Sequence, residues 1–213
     1  MSRPLRYTVL APAFLRSRSG EGGKPPARTE LVGLAVLNVA DRFGRWTVRL
    51  ASETAVAGEP QGKCLAWMAQ HLEGATRLIG WRVEDEVAPR LVAAAMDCGS
   101  PVVAVTALTA LARATEQPCV DLAHGHGGAA APPFGALAPT LGIPVTPVTV
   151  AAVAGAHSAC DHAAMRGLVE ARAIALWLAY LRAGNGDDEA TRVTLDWLAA
   201  QGSPWREWAG GAA

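Results

Sequence analysis

The chain has 213 residues, of which 51% are hydrophobic and 18% are charged. This length and this apolar share suffice for one well-cored domain and leave room for at most a very small second one. Nineteen Lys and Arg residues balance nineteen Asp and Glu residues, which disfavours a strong, nonspecific binder of duplex DNA, because such proteins normally carry a clear basic excess.

The cysteines and the apolar runs favour a cytoplasmic protein. The four cysteines lie far apart and form no C-x-x-C pair, which argues against both a disulfide framework and a structural zinc site. The longest apolar stretch, residues 102–112, is about half the roughly 20 residues that a membrane-spanning helix needs. Residues 1–7 contain no apolar run typical of a signal peptide. We therefore expect no membrane association.

The first 50 residues contain three predicted strands. They lie at residues 6–11, 31–39 and 45–50, and residues 41–44 form a turn between the second and the third. Residues 14–30 are rich in Gly, Ser, Pro and Arg, which predicts a mobile basic loop. Its four cations are Arg16, Arg18, Lys24 and Arg28.

Beyond residue 60 the sequence predicts helices alternating with strands. The helices are predicted at residues 61–72, 84–96, 102–114, 134–141, 161–183 and 187–201, and the strands at residues 76–80 and 119–122. Three meander strands followed by this alternation are typical of a mixed sheet with helices on its faces. No internal repeat or domain boundary is evident, so we expect a single domain spanning residues 1–213, with residues 202–213 as a C-terminal tail.

Four segments carry a resemblance to a known family. Residues 80–91 read GWRVEDEVAPRL, residues 119–122 and 137–144 read CVDL and LAPTLGIP, and residues 165–176 read MRGLVEARAIAL. In this order they resemble the motifs of DEDD-type 3'–5' exonucleases, in particular family B DNA polymerase proofreading domains and their stand-alone relatives. The resemblance implies a ribonuclease H-like α/β fold, with a mixed sheet of a three-stranded antiparallel meander plus parallel strands and helices on both faces.

The resemblance also implies that most of the catalytic carboxylates are lost. Active members hold two divalent ions with four carboxylates, and a His or Tyr orients the attacking water. Ala11 and Ala13 stand where the first strand would carry two of these ligands, and Val87 where the second motif has Asp. Met165 replaces the His, and Glu170 alone keeps a carboxylate. We expect Ala11, Ala13, Val87 and Glu170 to converge at the end of the first strand.

The function expected from the resemblance is that of a catalytically degenerate exonuclease-like protein with no metal cofactor. It would act by binding an unknown protein partner or single-stranded nucleic acid. Nucleic-acid binding would use the loop cations and one motif residue, namely Arg16, Arg18, Lys24, Arg28 and Arg82. The competing interpretation of residues 14–30, which the sequence favours, is a solvated loop without a ligand. The alternative is an active Mg²⁺- or Mn²⁺-dependent exonuclease with a displaced site that uses Glu170, Glu86 as a shifted ligand, and histidines. A purely structural subunit is a third hypothesis.

The histidines allow two interpretations. A cluster of Asp121, His124, His126, His157 and His162 could bind Zn²⁺ or Mn²⁺ if the fold brought these residues together. The alternative is a set of solvated imidazoles in a glycine-rich loop and near a helix start, with Asp121 capping backbone amides at a strand end.

The tryptophans divide into a core group and a tail group. Trp46, Trp67 and Trp177 lie in apolar patterns and are predicted to be core residues. Trp205 and Trp208 lie in the polar tail, where exposed indoles favour docking on a partner or on a second copy of the chain. The alternative is that both pack back on the last helix.

Overall fold

The computed structural model describes residues 5–16, 28–144 and 148–201, and within these ranges it is an α/β structure with five strands and seven helices. The strands are β1 (Arg6–Arg16), β2 (Thr29–Arg42), β3 (Arg45–Thr54), β4 (Arg77–Gly80) and β5 (Cys119–Asp121). The helices are α1 (Gly62–Leu72), α2 (Ala88–Asp97), α3 (Pro101–Glu116), α4 (Phe134–Leu137), α5 (Val150–Ser158), α6 (His162–Arg182) and α7 (Asp188–Ala199).

The strands form one mixed sheet in the order β3-β2-β1-β4-β5. β1 pairs antiparallel with β2, and β2 pairs antiparallel with β3. β4 pairs parallel with β1, and β5 pairs parallel with β4. The predicted combination of an antiparallel meander with parallel strands is confirmed.

A tight hairpin turn joins β2 to β3. Its two central residues are Phe43 and Gly44, with φ of 56° and 76°. Two positive φ values are typical of the type I′ turn, whose twist suits antiparallel strands. Asp41 Oδ1 accepts a hydrogen bond from Gly44 N at 2.7 Å, which fixes the turn at the predicted position.

Helices cover both faces of the sheet. Side chains alternate between the faces along each strand, so the apolar strands present two apolar faces that helices bury. On one face, Val9 and Ala11 of β1 join a core cluster with α5, α6 and α7. On the other, Leu10 joins a second cluster with α1, α2 and α3. The predicted placement of helices on both faces is confirmed.

β1 extends well beyond its parallel neighbour β4. The two strands pair only from Tyr7 to Val9 on β1, whereas β1 continues beside β2 as far as Arg16. The chain leaves β4 at Arg82, where φ is 51°, and forms a π-helical turn at Val83–Val87 that leads into α2. A Cβ on Gly80 would lie 2.5 Å from Val83 Cγ2, so this sharp exit requires glycine. A gap therefore opens beside the second half of β1.

Some predicted boundaries differ from the structure. Residues 14–16 and 29–30 of the predicted basic loop belong to β1 and β2, and α5 was not predicted. The predicted helix at 84–96 starts as the π-helical turn. None of the helices in the described ranges combines the length and apolar character needed to cross a bilayer.

The tryptophan predictions can be checked in part. Trp177 is fully buried, and Trp46 and Trp67 are partly buried against the two core clusters. Trp205 and Trp208 lie outside the described residues.

A basic crevice at the end of the first strand

A crevice of about 260 Å³ occupies the gap between the second half of β1, the π-helical turn and α6. Ligands of open α/β sheets commonly bind beyond the carboxyl ends of parallel strands, and this crevice lies beyond the end of β4. It is lined by strand, turn and helix residues, namely Pro12, Ala13, Phe14, Trp81, Arg82, Glu86, Val87, Arg90, Pro133, Phe134, Gly135, Val148, Thr149, Val150, Val153 and Arg172.

Among the described residues, the charged lining consists of three guanidinium groups and one carboxylate. Glu86 lies between two of them, with Oε2 at 3.5 Å from Arg82 Nη1 and Oε1 at 3.0 Å from Arg90 Nη2. The third guanidinium belongs to Arg172 of α6. The crevice therefore carries an excess of two positive charges, although the whole chain has no net charge.

Arg82 is held in a conformation that costs free energy. Its φ of 51° lies in the left-handed region, which non-glycine residues occupy sparingly. Asp121 Oδ1 stabilises this conformation by accepting a hydrogen bond from Arg82 N at 2.8 Å, and Arg82 Nη2 donates to the carbonyl of Ala131. Backbone strain of this kind concentrates at binding and catalytic sites, which favours the crevice as the functional site.

Arg172 has few partners. Its Nη1 donates one long hydrogen bond, 3.4 Å, to the carbonyl of Pro12, and no carboxylate of the described residues forms an ion pair with it. Burial lowers the pKa of this guanidinium, Glu86 raises it, and Arg90 lowers it. An arginine nevertheless stays protonated in proteins, so Arg172 is a partly desolvated cation that an anion would stabilise.

Aromatic rings form the apolar part of the wall. Trp81 packs against Phe134 with ring centroids 5.2 Å apart and against His126 at 5.8 Å. On the opposite side the Arg90 guanidinium lies 5.6 Å from the centre of the Phe14 ring. The crevice therefore combines cations with aromatic surface.

The second predicted motif does lie at this crevice. Ala13, Val87, Glu86 and Arg82 all line it. Ala11 is fully buried beneath it, in the core cluster that contacts α6.

Met165 is also buried below the crevice. It packs on Gly33, where an added Cβ would lie 3.2 Å from Met165 Cγ, and Gly33 is the β2 partner of Ala13. Met165 therefore lies close to the predicted strand end as a core residue.

The prediction that Glu170 joins this group is wrong. Its carboxylate accepts a hydrogen bond from Ser52 Oγ on β3 at 2.6 Å and lines a different depression. Ser52 is separated from Ala11 by the whole of β2, about 10 Å at the usual strand spacing. Residues two apart on a helix differ by about 200° in direction, which explains why α6 presents Arg172 to the crevice and Glu170 to β3.

The two predicted loop cations that the structure describes, Arg16 and Arg28, do not line the crevice. Arg16 lies exposed at the end of β1 and is not among the lining residues, and Arg28 lines a separate depression that also contains Glu59. Arg18 and Lys24 lie outside the described residues.

Two of the three crevice arginines were missed. Arg90 lies within the second motif, four residues after Glu86, where an ion pair on a helix is expected. Arg172 follows Met165 and Val169 at i+7 and i+3, which places all three on one face of α6.

The five residues of the hypothetical histidine cluster lie in two parts of the fold, three at the end of β5 and the turn after it, and two near the end of β3. His124 and His126 follow β5, where His126 contacts Trp81. His157 Nδ1 lies 3.1 Å from the carbonyl of Ala55, and His162 Nδ1 lies 2.8 Å from Thr54 Oγ1.

Asp121 has the predicted capping role. It is 6% exposed, and its Oδ1 accepts hydrogen bonds from the backbone amides of Arg82 and Ala123, at 2.8 and 3.0 Å.

The donor set of the crevice does not fit Mg²⁺ or Mn²⁺. These hard cations require several oxygen ligands. Glu86 is the one carboxylate among the lining residues that the structure describes, and it is already paired with two guanidinium groups. Within the described ranges, no three His, Cys, Asp or Glu side chains lie close enough to hold a metal ion together.

Comparison with known proteins adds no relative. This chain has no significant match among protein-family models, curated proteins or solved structures.

Proposed function

We propose that the protein is a catalytically degenerate relative of the DEDD-type 3'–5' exonucleases, with a ribonuclease H-like sheet, and that it binds single-stranded nucleic acid in the basic crevice. One observation carries this proposal. At the strand end where the resemblance implies metal-binding carboxylates, the chain carries Ala13, Val87 and the guanidinium groups of Arg82, Arg90 and Arg172.

The charge of the crevice favours an anionic ligand. Guanidinium groups bind phosphate oxygens through paired hydrogen bonds and are less strongly hydrated than ammonium groups. Three of them facing one carboxylate leave an excess of positive charge for a phosphate to neutralise.

The composition of the crevice wall favours a single strand over a duplex. Proteins that bind single strands combine a positively charged groove with aromatic rings on which bases stack. Arg82, Arg90 and Arg172 provide the charge, and the partly exposed Phe14 provides a ring. The balanced net charge of the chain also argues against broad attraction to duplex phosphates.

Fluorescence anisotropy with a short labelled single strand, titrated with NaCl, tests the proposal. Each lost phosphate contact reduces the log–log salt slope by about 0.7 for single strands. Arg172→Met should therefore weaken binding and reduce the slope by about this amount. Arg166→Met is the matched control, because Arg166 lies exposed on the same helix and away from the crevice. Absence of measurable wild-type binding at low salt would refute the proposal.

The same preparation should not degrade the strand in Mg²⁺ or Mn²⁺. The reason is the poor ligand set, in which Glu86 alone offers carboxylate oxygens to the crevice. Progressive shortening of the strand that EDTA and Glu86→Gln both abolish would support an active exonuclease instead.

Binding of a protein partner is the second candidate function, and an exposed apolar surface favours it. Val92 and Met96 of α2 are 43% and 73% exposed, and Val102 and Val105 of α3 are 76% and 66% exposed. Apolar side chains grouped on a surface often mark interaction sites. A pull-down from the native host would support this function if one protein binds the wild type and Arg172→Met but not Met96→Glu. The alternative, homo-oligomerisation through Trp205 and Trp208, is tested by the molecular mass in solution of a variant with both replaced by Ala.

A further inference from the structure

Glu86 occupies the position that an anionic ligand would take. Each of its carboxylate oxygens faces a different guanidinium, that of Arg90 at 3.0 Å and that of Arg82 at 3.5 Å. All three side chains are partly exposed, and exposed ion pairs of this kind are weak. A ligand phosphate offers more oxygens than a carboxylate, so it can compete for both guanidinium groups.

Two buried donors at the crevice wall also lack an acceptor. Within the described residues, neither Trp81 Nε1 nor Arg82 Nε has a hydrogen-bond partner. Trp81 is only 4% exposed, so solvent does not readily satisfy this donor. Both groups donate and neither accepts, so the two unsatisfied donors belong to residues of the crevice wall and would be satisfied by acceptor oxygens.

We propose that Arg82, Arg90 and Arg172 hold a phosphate group directly, without a divalent ion, and that Glu86 is an internal competitor for the same guanidinium groups. This inference deepens the proposed function and rests on it for the class of ligand. The guanidinium groups supply the positive charge that metal ions supply in an exonuclease. Glu86 bridges Arg82 and Arg90 and yields to the phosphate when the ligand enters.

The size of the crevice limits the bound unit to about one nucleotide. Its volume of about 260 Å³ falls just below the roughly 300–1,000 Å³ of ordinary small-molecule pockets. Its cations meet the phosphate, and the partly exposed Phe14 ring offers apolar surface to the attached sugar or base. The ligand class is therefore a nucleoside monophosphate, free or as one unit of a strand.

Isothermal titration calorimetry with adenosine 5′-monophosphate tests the proposal, and adenosine is the control ligand. The monophosphate should bind with the same affinity in EDTA and in Mg²⁺, and adenosine should bind much more weakly. Glu86→Gln should bind the monophosphate more tightly, on the order of tenfold, because two weak ion pairs no longer compete with it. Glu84→Gln is the matched control. It removes the same charge two residues before Glu86, from a side chain that is exposed and does not line the crevice.

Removal of a crevice guanidinium should have the opposite effect to Glu86→Gln and lower the affinity for the monophosphate. Arg172→Met should weaken monophosphate binding at least tenfold, whereas Arg166→Met should leave it unchanged. If Arg172→Met does not fold, Glu86→Gln still decides the question, because it predicts a gain of affinity that damage to the fold would not produce.

The outcomes separate this inference from the proposed function. Binding of the monophosphate but not of the oligonucleotide would refute the proposed function and leave the phosphate site standing. Two outcomes would overturn the inference and retain the function. One is oligonucleotide binding that requires Mg²⁺, and the other is oligonucleotide binding that does not become tighter in Glu86→Gln. Failure of the monophosphate to bind under any condition would also overturn the inference.

Discussion

Replacing Asp121 with Ala should destabilise the protein and loosen the crevice wall. The Asp121 carboxylate is buried and accepts hydrogen bonds from two backbone amides, Arg82 N at 2.8 Å and Ala123 N at 3.0 Å. Without it, both donors lose their partner. A buried donor left without an acceptor costs about 1–3 kcal/mol, so two donors predict a loss of roughly 2–6 kcal/mol in the free energy of unfolding.

Urea unfolding of two alanine variants measures this loss. Asp161→Ala is the matched control, because Asp161 also caps a backbone amide, that of Ala164 at 2.9 Å, but is exposed. Loss of an exposed cap should cost about 0.5–2 kcal/mol. Asp121→Asn keeps one acceptor oxygen and should lose less than Asp121→Ala. If Asp121→Ala is no less stable than Asp161→Ala, the buried carboxylate does not hold the wall as described.

Three further changes test other parts of the structure. Glu170→Gln should leave monophosphate and strand binding unchanged, because Glu170 contacts β3 and not the crevice; weaker binding would contradict this placement. Thr194→Val should lower the free energy of unfolding by about 1–3 kcal/mol, since Trp177 Nε1 donates to the buried Thr194 Oγ1 at 2.9 Å, and an unchanged urea midpoint would argue against that bond. Burial raises the pKa of Cys64 to about 12, so a thiol reagent at pH 8 should label the exposed Cys160 first and Cys64 only after unfolding. In the folded protein the thiolate fraction of Cys64 should rise tenfold per pH unit below this pKa, and rapid labelling of folded Cys64 at pH 8 would contradict its burial.

Local patterns in the sequence were sufficient to predict most of the fold. β-Branched runs predicted the strands, and helical spacing predicted most of the long helices. α5 escaped because residues 150–158 are small and apolar almost throughout, so they have no polar face that would reveal a helical period. The remaining signal was Thr149, whose side chain accepts a hydrogen bond from Ala152 N and caps the helix.

The residues of the candidate site were predictable where they are contiguous in the sequence. They were not predictable on α6, where the direction of each side chain around the helix determines which residue reaches the crevice. The motif at residues 80–91 predicted that Glu86 and Val87 lie near Ala13, and all three line the crevice beside the second half of β1. On α6 the family alignment selected Glu170, two positions from the residue that faces the crevice. The spacing of Met165, Val169 and Arg172 was the better guide, because residues at i, i+4 and i+7 share a helix face.

Pro12 has a further consequence for how other chains can approach β1. Alternate residues of a strand direct their backbone groups to the same edge. Leu10 O faces the β4 side, 3.6 Å from where a Gly80 Cβ would be, and Pro12 O on the same edge accepts from Arg172. Among the described residues, β1 has no strand partner on this edge beyond Val9, and Pro12 is buried under the crevice wall. If the wall opened, an unpaired strand edge of this kind would recruit foreign strands. Proline offers no amide hydrogen there, so an incoming strand finds an acceptor without its matching donor. The crevice can thus remain open to small ligands without turning the sheet into a template for β-addition.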